Sequence, residues 1–472
     1  MTCLSSSPAD ASAAGTAAAG PVPAAASAPL PDPYIPGRGT GDLLITHYDL
    51  DLECKLASNR LAGRAVLTGR TLRDTSRLEL DLTGLQASRV QVNGQRPKKT
   101  SQRNGKLVLS LKEPLPANTG LVLDVRYEGT PVPINGDWGE VGWEELTDGV
   151  LVAGQPDGAS SWFPCNDHPS QKATFRISAT TDAGYRAVAN GELVGHDKKS
   201  SRETWVYEMN EPMATYLATL QIGRYVLQDL VLPGSSGADG DAAVAQQVAA
   251  PAPLLTDAVT ALSRQEHMMA VFVRSFGPYP FARYTVVVAE DELEIPLEAQ
   301  SLSIIGRNHL DHGWEAQRLI AHELSHQWFG NSLTAASWND IWLHEGFACY
   351  AEWIWSEASG SVSAAGRAKA AWQMLTALKQ DITVGDPGPQ LMFDDRVYKR
   401  GALALHALRT ELGDELFFRI LRRWCTEYKH GSVSTGQFIG LADAEAGRPQ
   451  FSAATLLEPW LFSAALPEFP GK

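Results

Sequence analysis

His322 and His326 stand four residues apart in the run His322-Glu323-Leu324-Ser325-His326. On a helix that spacing puts both imidazoles on one face a turn apart, so both can reach a single ion. Glu323 projects about a third of a turn round, beside an open coordination position where a carboxylate can take a proton from a bound water. A pair of hydrogen-bonded core histidines would show the same five residues. What separates the two readings is Leu343-His344-Glu345-Gly346-Phe347-Ala348, which sets Glu345 19 residues after His326 on the next helical stretch. A second helix packed beside the first can deliver that carboxylate as a third ligand and leave the fourth tetrahedral position for water. The expectation is one Zn2+ per chain on His322, His326 and Glu345, with Glu323 as general base for hydrolysis.

The first pair belongs to a helix expected from about 314 to a stop at Gly330-Asn331. Beyond 254 helical periodicity dominates, broken by one buried-strand signature, Tyr284 to Ala289. The first 220 or so residues read differently. Tyr48, Leu50, Leu52 and Cys54 alternate with His47, Asp49, Asp51 and Glu53, as in a strand with one wet face. Leu78, Leu80 and Leu82 and then Leu121, Leu123, Val125 and Tyr127 continue the pattern, and Asn93-Gly94 after Val90 and Val92 is a two-residue hairpin signal. The fold class expected is α+β: a disordered Ala/Pro/Ser-rich tail over 1–33, a mostly antiparallel β domain over 34–225 and an α-rich catalytic domain over 226–472. Residues 233–253 read as a low-complexity surface insertion near the boundary.

Composition limits the partners. The 472 residues carry 40 Lys+Arg against 54 Asp+Glu, a net charge of −14, so no basic field exists to hold nucleic acid. No apolar run is long enough to span a bilayer, and the first residues as given read as neither the basic nor the apolar segment of a signal peptide. The five cysteines are scattered singly, which favours reduced thiols and a cytoplasmic setting. Cys3 ahead of the tail also resembles the start of a processed lipoprotein, which would make the protein exported or lipid-anchored if the true start lies upstream of Met1.

The string His322 to Trp353 resembles the zinc-site segment of the aminopeptidase N family of gluzincin metallopeptidases. The resemblance spans about 40 to 470 and implies a saddle-like β domain followed by a thermolysin-like catalytic domain. In that family a Gly-x-Met-Glu-Asn strand holds the substrate's free α-amine; here the stretch is Ile295-Pro296-Leu297-Glu298-Ala299, so Glu298 inherits the role while Gly, Met and Asn are replaced. Tyr398, in Val397-Tyr398-Lys399-Arg400-Gly401-Ala402, falls where the family's oxyanion-stabilising Tyr stands, with Arg400 in place of the usual Lys. Trp162-Phe163-Pro164-Cys165-Asn166-Asp167-His168-Pro169 resembles the family's Phe-Pro-Cys signature, and Gln155 stands where relatives often carry a second amine-binding Glu. The chain ends soon after Trp460, which implies a short form without the long helical C-terminal domain of larger members.

His344 points about 100° away from its neighbour Glu345 and reads as packing rather than a fourth ligand. Trp338, Trp342, Phe347, Trp353 and Trp355 read as core around the metal helices, and Lys399-Arg400 as a local charged pair at a helix start. The function expected is a zinc aminopeptidase acting on peptides with a free N-terminus. The alternatives are a non-catalytic peptide-binding relative, or an endopeptidase or epoxide hydrolase with relaxed recognition of the N-terminus.

Overall fold

The computed structural model describes residues 31–232, 234 and 243–471. Most of the expected 1–33 tail and the core of the expected 233–253 insertion lie outside the described residues. Period-two alternation builds the first half. Leu43–Lys55 turns Tyr48, Leu50, Leu52 and Cys54 inward, pairs antiparallel with Arg60–Thr71, and lies parallel to Lys172–Asp182 on its other side. These are the centre of a seven-stranded sheet that runs from Glu192–Lys199 to Gln86–Val92 and is antiparallel except at that one pair. Asn93 and Gly94 both have positive φ, as a tight two-residue turn needs. The strands on either side of it nevertheless find other partners: Gln86–Val92 pairs with Gly120–Gly129, and Lys99–Arg103 with Lys106–Leu115. Phe163 from the Phe-Pro-Cys signature is buried edge-on against Tyr48, 5.6 Å between centroids, so the signature is core of this half.

The second half is helical around a five-stranded mixed sheet in the order Tyr225–Val231, Ala245–Pro251, Arg283–Ala289, Leu302–Gly306, Leu297–Ala299. The expected strand at 284–289 is there, buried along its length. Three expectations need correction. Ala245–Pro251 is no surface insertion: it is a buried strand lying parallel beside Arg283–Ala289. Its mostly small side chains suit a strand covered on both faces, which shows no inside–outside alternation to read. The second half also holds more strands than the one expected, because Leu302–Gly306 and the three-residue edge Leu297–Ala299 pair beside it. Asp32 corrects the limit of the expected tail, since it is buried against the catalytic half. No described helix is long and apolar enough to cross a membrane.

Candidate metal centre and active site

His322 and Glu323 lie on the helix Trp314–Ser325, shorter than expected at its C-terminal end. After Ser325 the chain first tightens, the amides of Gln327 and Trp328 donating three residues back, and then widens: the amides of Asn331, Ser332 and Leu333 donate to the carbonyls of His326, Gln327 and Trp328, each five residues back. His326 is thus the residue at the helix end. Gly330, at φ +117°, makes the close approach possible, since a Cβ there would meet His326 Nδ1 at 3.3 Å. The helix Trp342–Ala358 packs alongside and presents Glu345 from its first turn.

The three expected ligands converge. Oε2 of Glu345 lies 3.3 Å from Nε2 of His322 and 3.5 Å from Nε2 of His326, and all three residues are buried. Each imidazole is oriented through its other nitrogen. Nδ1–H of His322 donates to Oε1 of Glu352 at 2.8 Å, and Nδ1–H of His326 to the carbonyl of Phe329 at 3.0 Å. Nε2 of each ring is therefore the nitrogen turned towards Glu345 and the one left to ligate a metal. Burial alone would depress His322, but Glu345 and Glu352 outweigh it and raise its pKa to about 10, so the surroundings favour a positive charge at this point. Buried donors of this chemistry, with a cation favoured among them, fit Zn2+.

Glu323 is buried beside the ligands, and its Oε2 has no hydrogen-bond partner. Burial raises its pKa to about 7, with Glu345 and Glu352 adding and His322 opposing. Carboxylate oxygens of Glu298 and Glu323 and a ring nitrogen of His326 all lie within 4.8 Å of one another, so the strand Leu297–Ala299 brings Glu298 to the same centre. Oε1 of Glu298 accepts from Nε2–H of Gln155 at 2.7 Å, across the two halves. Burial, reinforced by Glu345 and Glu323, holds the Glu298 carboxyl well above the usual range. Tyr398, on the helix Asp395–Leu412, stacks on the His322 ring with centroids 5.9 Å apart and planes 16° apart. Burial and then the carboxylates of Glu345, Glu298 and Glu323 keep its hydroxyl protonated, hence a donor.

His344 stays out of the centre: its Nε2 accepts the Ala335 amide at 2.7 Å, and burial lowers its pKa to about 3. The tryptophans and Phe347 are buried, as expected of core. Arg400 corrects the reading of a local charged pair, because it is 2% exposed and donates to the carbonyls of Pro459, Ala464 and Ala465 at 2.8 to 2.9 Å. Two contributions escaped the sequence reading. Glu352 stands seven residues after Glu345, two helical turns on and so on the same face, which is the signal that could have found it. Gln327 and Asn331 both donate to the Ala299 carbonyl, at 3.1 and 2.9 Å, and so tie the Glu298 strand to the histidine segment.

The family profile of the Peptidase family M1 domain matches residues 260–458, and that of the Peptidase M1 N-terminal domain matches residues 45–217. The chain is 23% identical over 336 residues to Probable aminopeptidase 2 of Sulfurisphaera tokodaii, covering 66% of this chain and 40% of that protein. It is 25% identical over 340 residues to Tricorn protease-interacting factor F2 of Thermoplasma volcanium, covering 68% and 42%. It thus spans about two fifths of the length of these curated relatives. The crystal structure of an M1 zinc metallopeptidase from Deinococcus radiodurans superposes with a TM-score of 0.84 at 30% identity, covering 93% of this chain and 99% of that one. A mutant of that metallopeptidase, with a TM-score of 0.85, is described as bound to a Tyr-Ser-Ala substrate.

Proposed function

The chain belongs to peptidase family M1, and on that premise we propose that it is a zinc aminopeptidase that removes the first residue of peptides with a free N-terminus. The observation that carries this is the Glu298–Gln155 contact at the edge of the metal centre. A carboxylate there can hold an α-ammonium by a charge-assisted hydrogen bond, and the amide oxygen of Gln155 can accept a second. Held in this way, a substrate has its first peptide bond beside Glu323 and Tyr398.

Zn2+ on His322, His326 and Glu345 would lower the pKa of a bound water and polarise the scissile carbonyl. Glu323 takes the proton of the attacking water and passes it to the leaving amine, a task matched by its raised pKa. The Tyr398 hydroxyl donates to the oxygen on which negative charge develops. The proposed domains are the β half up to about 225 and the catalytic half from about 226, and the site draws on both through Gln155 and Glu298. A panel of aminoacyl-amides and their N-acetylated counterparts tests the reading. Cleavage confined to free amines is expected, and equal cleavage of both would favour an endopeptidase.

A further inference from the structure

The strand-rich half is preceded by a short strap that docks on the catalytic half. Asp32, 1% exposed, carries four hydrogen bonds. Its Oδ1 accepts the amides of Tyr34 at 2.8 Å and Ile35 at 3.2 Å, which shape the strap itself. Its Oδ2 accepts the Ser337 hydroxyl at 2.8 Å and the Trp338 amide at 2.9 Å. Ser337 and Trp338 open the short turn Trp338–Asp340, which runs through Ile341 into the helix that carries Glu345. Ser337 makes no capping bond of its own to that turn, so the capping acceptor comes from a residue about three hundred positions away. Trp338 in turn packs edge-on against Tyr216 at 5.0 Å and His344 at 6.2 Å, and His344 is the neighbour of Glu345. Two residues further on, the Tyr34 hydroxyl accepts the Gly388 amide at 2.7 Å and bonds Asp386, gripping a different loop.

We infer that Asp32 is a positioning residue for the metal centre: by capping the turn ahead of the ligand helix it holds Glu345 where His322 and His326 can share an ion with it. The inference rests on Glu345 being a zinc ligand, which the zinc content of the unaltered chain tests by itself. A cap of this kind typically contributes about 0.5 to 2 kcal/mol. Its loss, where metal binding must restore the helix end, weakens zinc binding by about 2- to 30-fold.

The experiment is a zinc competition titration against a chelator on the full-length chain, compared with Asp32→Ala, Asp32→Asn and Tyr34→Phe. Asp32→Ala should lose about 2- to 30-fold in zinc affinity. Asp32→Asn, which keeps a carbonyl oxygen for Ser337 and Trp338, should recover most of it, and Tyr34→Phe should match the unaltered chain. Unchanged zinc affinity in Asp32→Ala overturns the inference, and so does an equal loss in Tyr34→Phe, which would mean that docking of the whole strap matters and the cap does not. Should Asp32→Ala fail to fold, hydrogen exchange on the unaltered chain decides, because coupling is reciprocal. Removing zinc should then speed exchange at the Tyr34, Ile35 and Trp338 amides, and unchanged rates there overturn the inference.

Discussion

His322 donates from Nδ1 to Glu352 at 2.8 Å, so the ring that faces Glu345 with one nitrogen is aimed by Glu352 through the other. Arg318 stands 3.6 Å from the same carboxylate and neutralises part of its charge. Partners of this type set ligand orientation and basicity, and their loss typically costs about 10- to 100-fold in metal affinity. Glu352→Ala should therefore bind zinc about 10- to 100-fold more weakly in a chelator competition; an unchanged dissociation constant would mean that the two packed helices alone orient His322.

Glu323→Gln should separate base from ligands. The metal set is untouched, so one zinc should remain by elemental analysis, while turnover falls by about 10²- to 10⁴-fold for want of a proton acceptor. Near-full turnover with zinc bound would remove Glu323 from the mechanism.

Tyr398 lies over His322 with its hydroxyl kept protonated among three carboxylates. A donor aimed at charge that develops only in the transition state affects kcat more than substrate binding. Tyr398→Phe should lower kcat by about 10²- to 10³-fold with KM little changed. A change confined to KM would make Tyr398 a substrate contact.

Glu298→Ala should shrink the preference for free over acetylated amines. A charge-assisted hydrogen bond contributes about 1.5 to 3 kcal/mol, which corresponds to about 10- to 150-fold in kcat/KM. Gln155→Ala should act in the same direction and more weakly, because Gln155 carries no charge. Equal losses on both substrate classes would show that Glu298 supports the fold or the zinc shell.

His406, buried on the Tyr398 helix, accepts from the Tyr350 hydroxyl at 3.3 Å, and burial, aided by Arg409, lowers its pKa to about 4. The native state then binds fewer protons than the unfolded chain between about pH 4 and 6.5. The stability linked to this group is intact above pH 6.5 and is lost as pH falls towards 4, by at most about 3 kcal/mol. Denaturant unfolding at pH 7 and 4.5 should show a smaller acid loss for His406→Gln than for the unaltered chain. Equal losses would place the acid sensitivity elsewhere.

The pairing of His322 with His326 was legible because helical geometry repeats with a fixed period, so spacing determines which side chains share a face, whereas Glu345 stands on a second helix and meets them only because the two helices pack. The same holds for Leu43–Lys55, where alternation determines which residues turn inward. Glu298, Gln155 and Tyr398 were legible only by resemblance, since they come from three separate elements and no local period links them. Ala245–Pro251 was misread because a strand buried on both faces alternates nothing and its small residues look like a linker. The partners of His322, Arg400 and Asp32 were settled by tertiary structure. Glu352 meets His322 because two helices pack side by side, Arg400 sinks into C-terminal carbonyls that only the folded chain gathers, and Asp32 caps a turn about three hundred residues distant. Local spacing specifies what one element can present, whereas the partner it meets depends on how elements dock, and docking is decided by burial summed over the whole core.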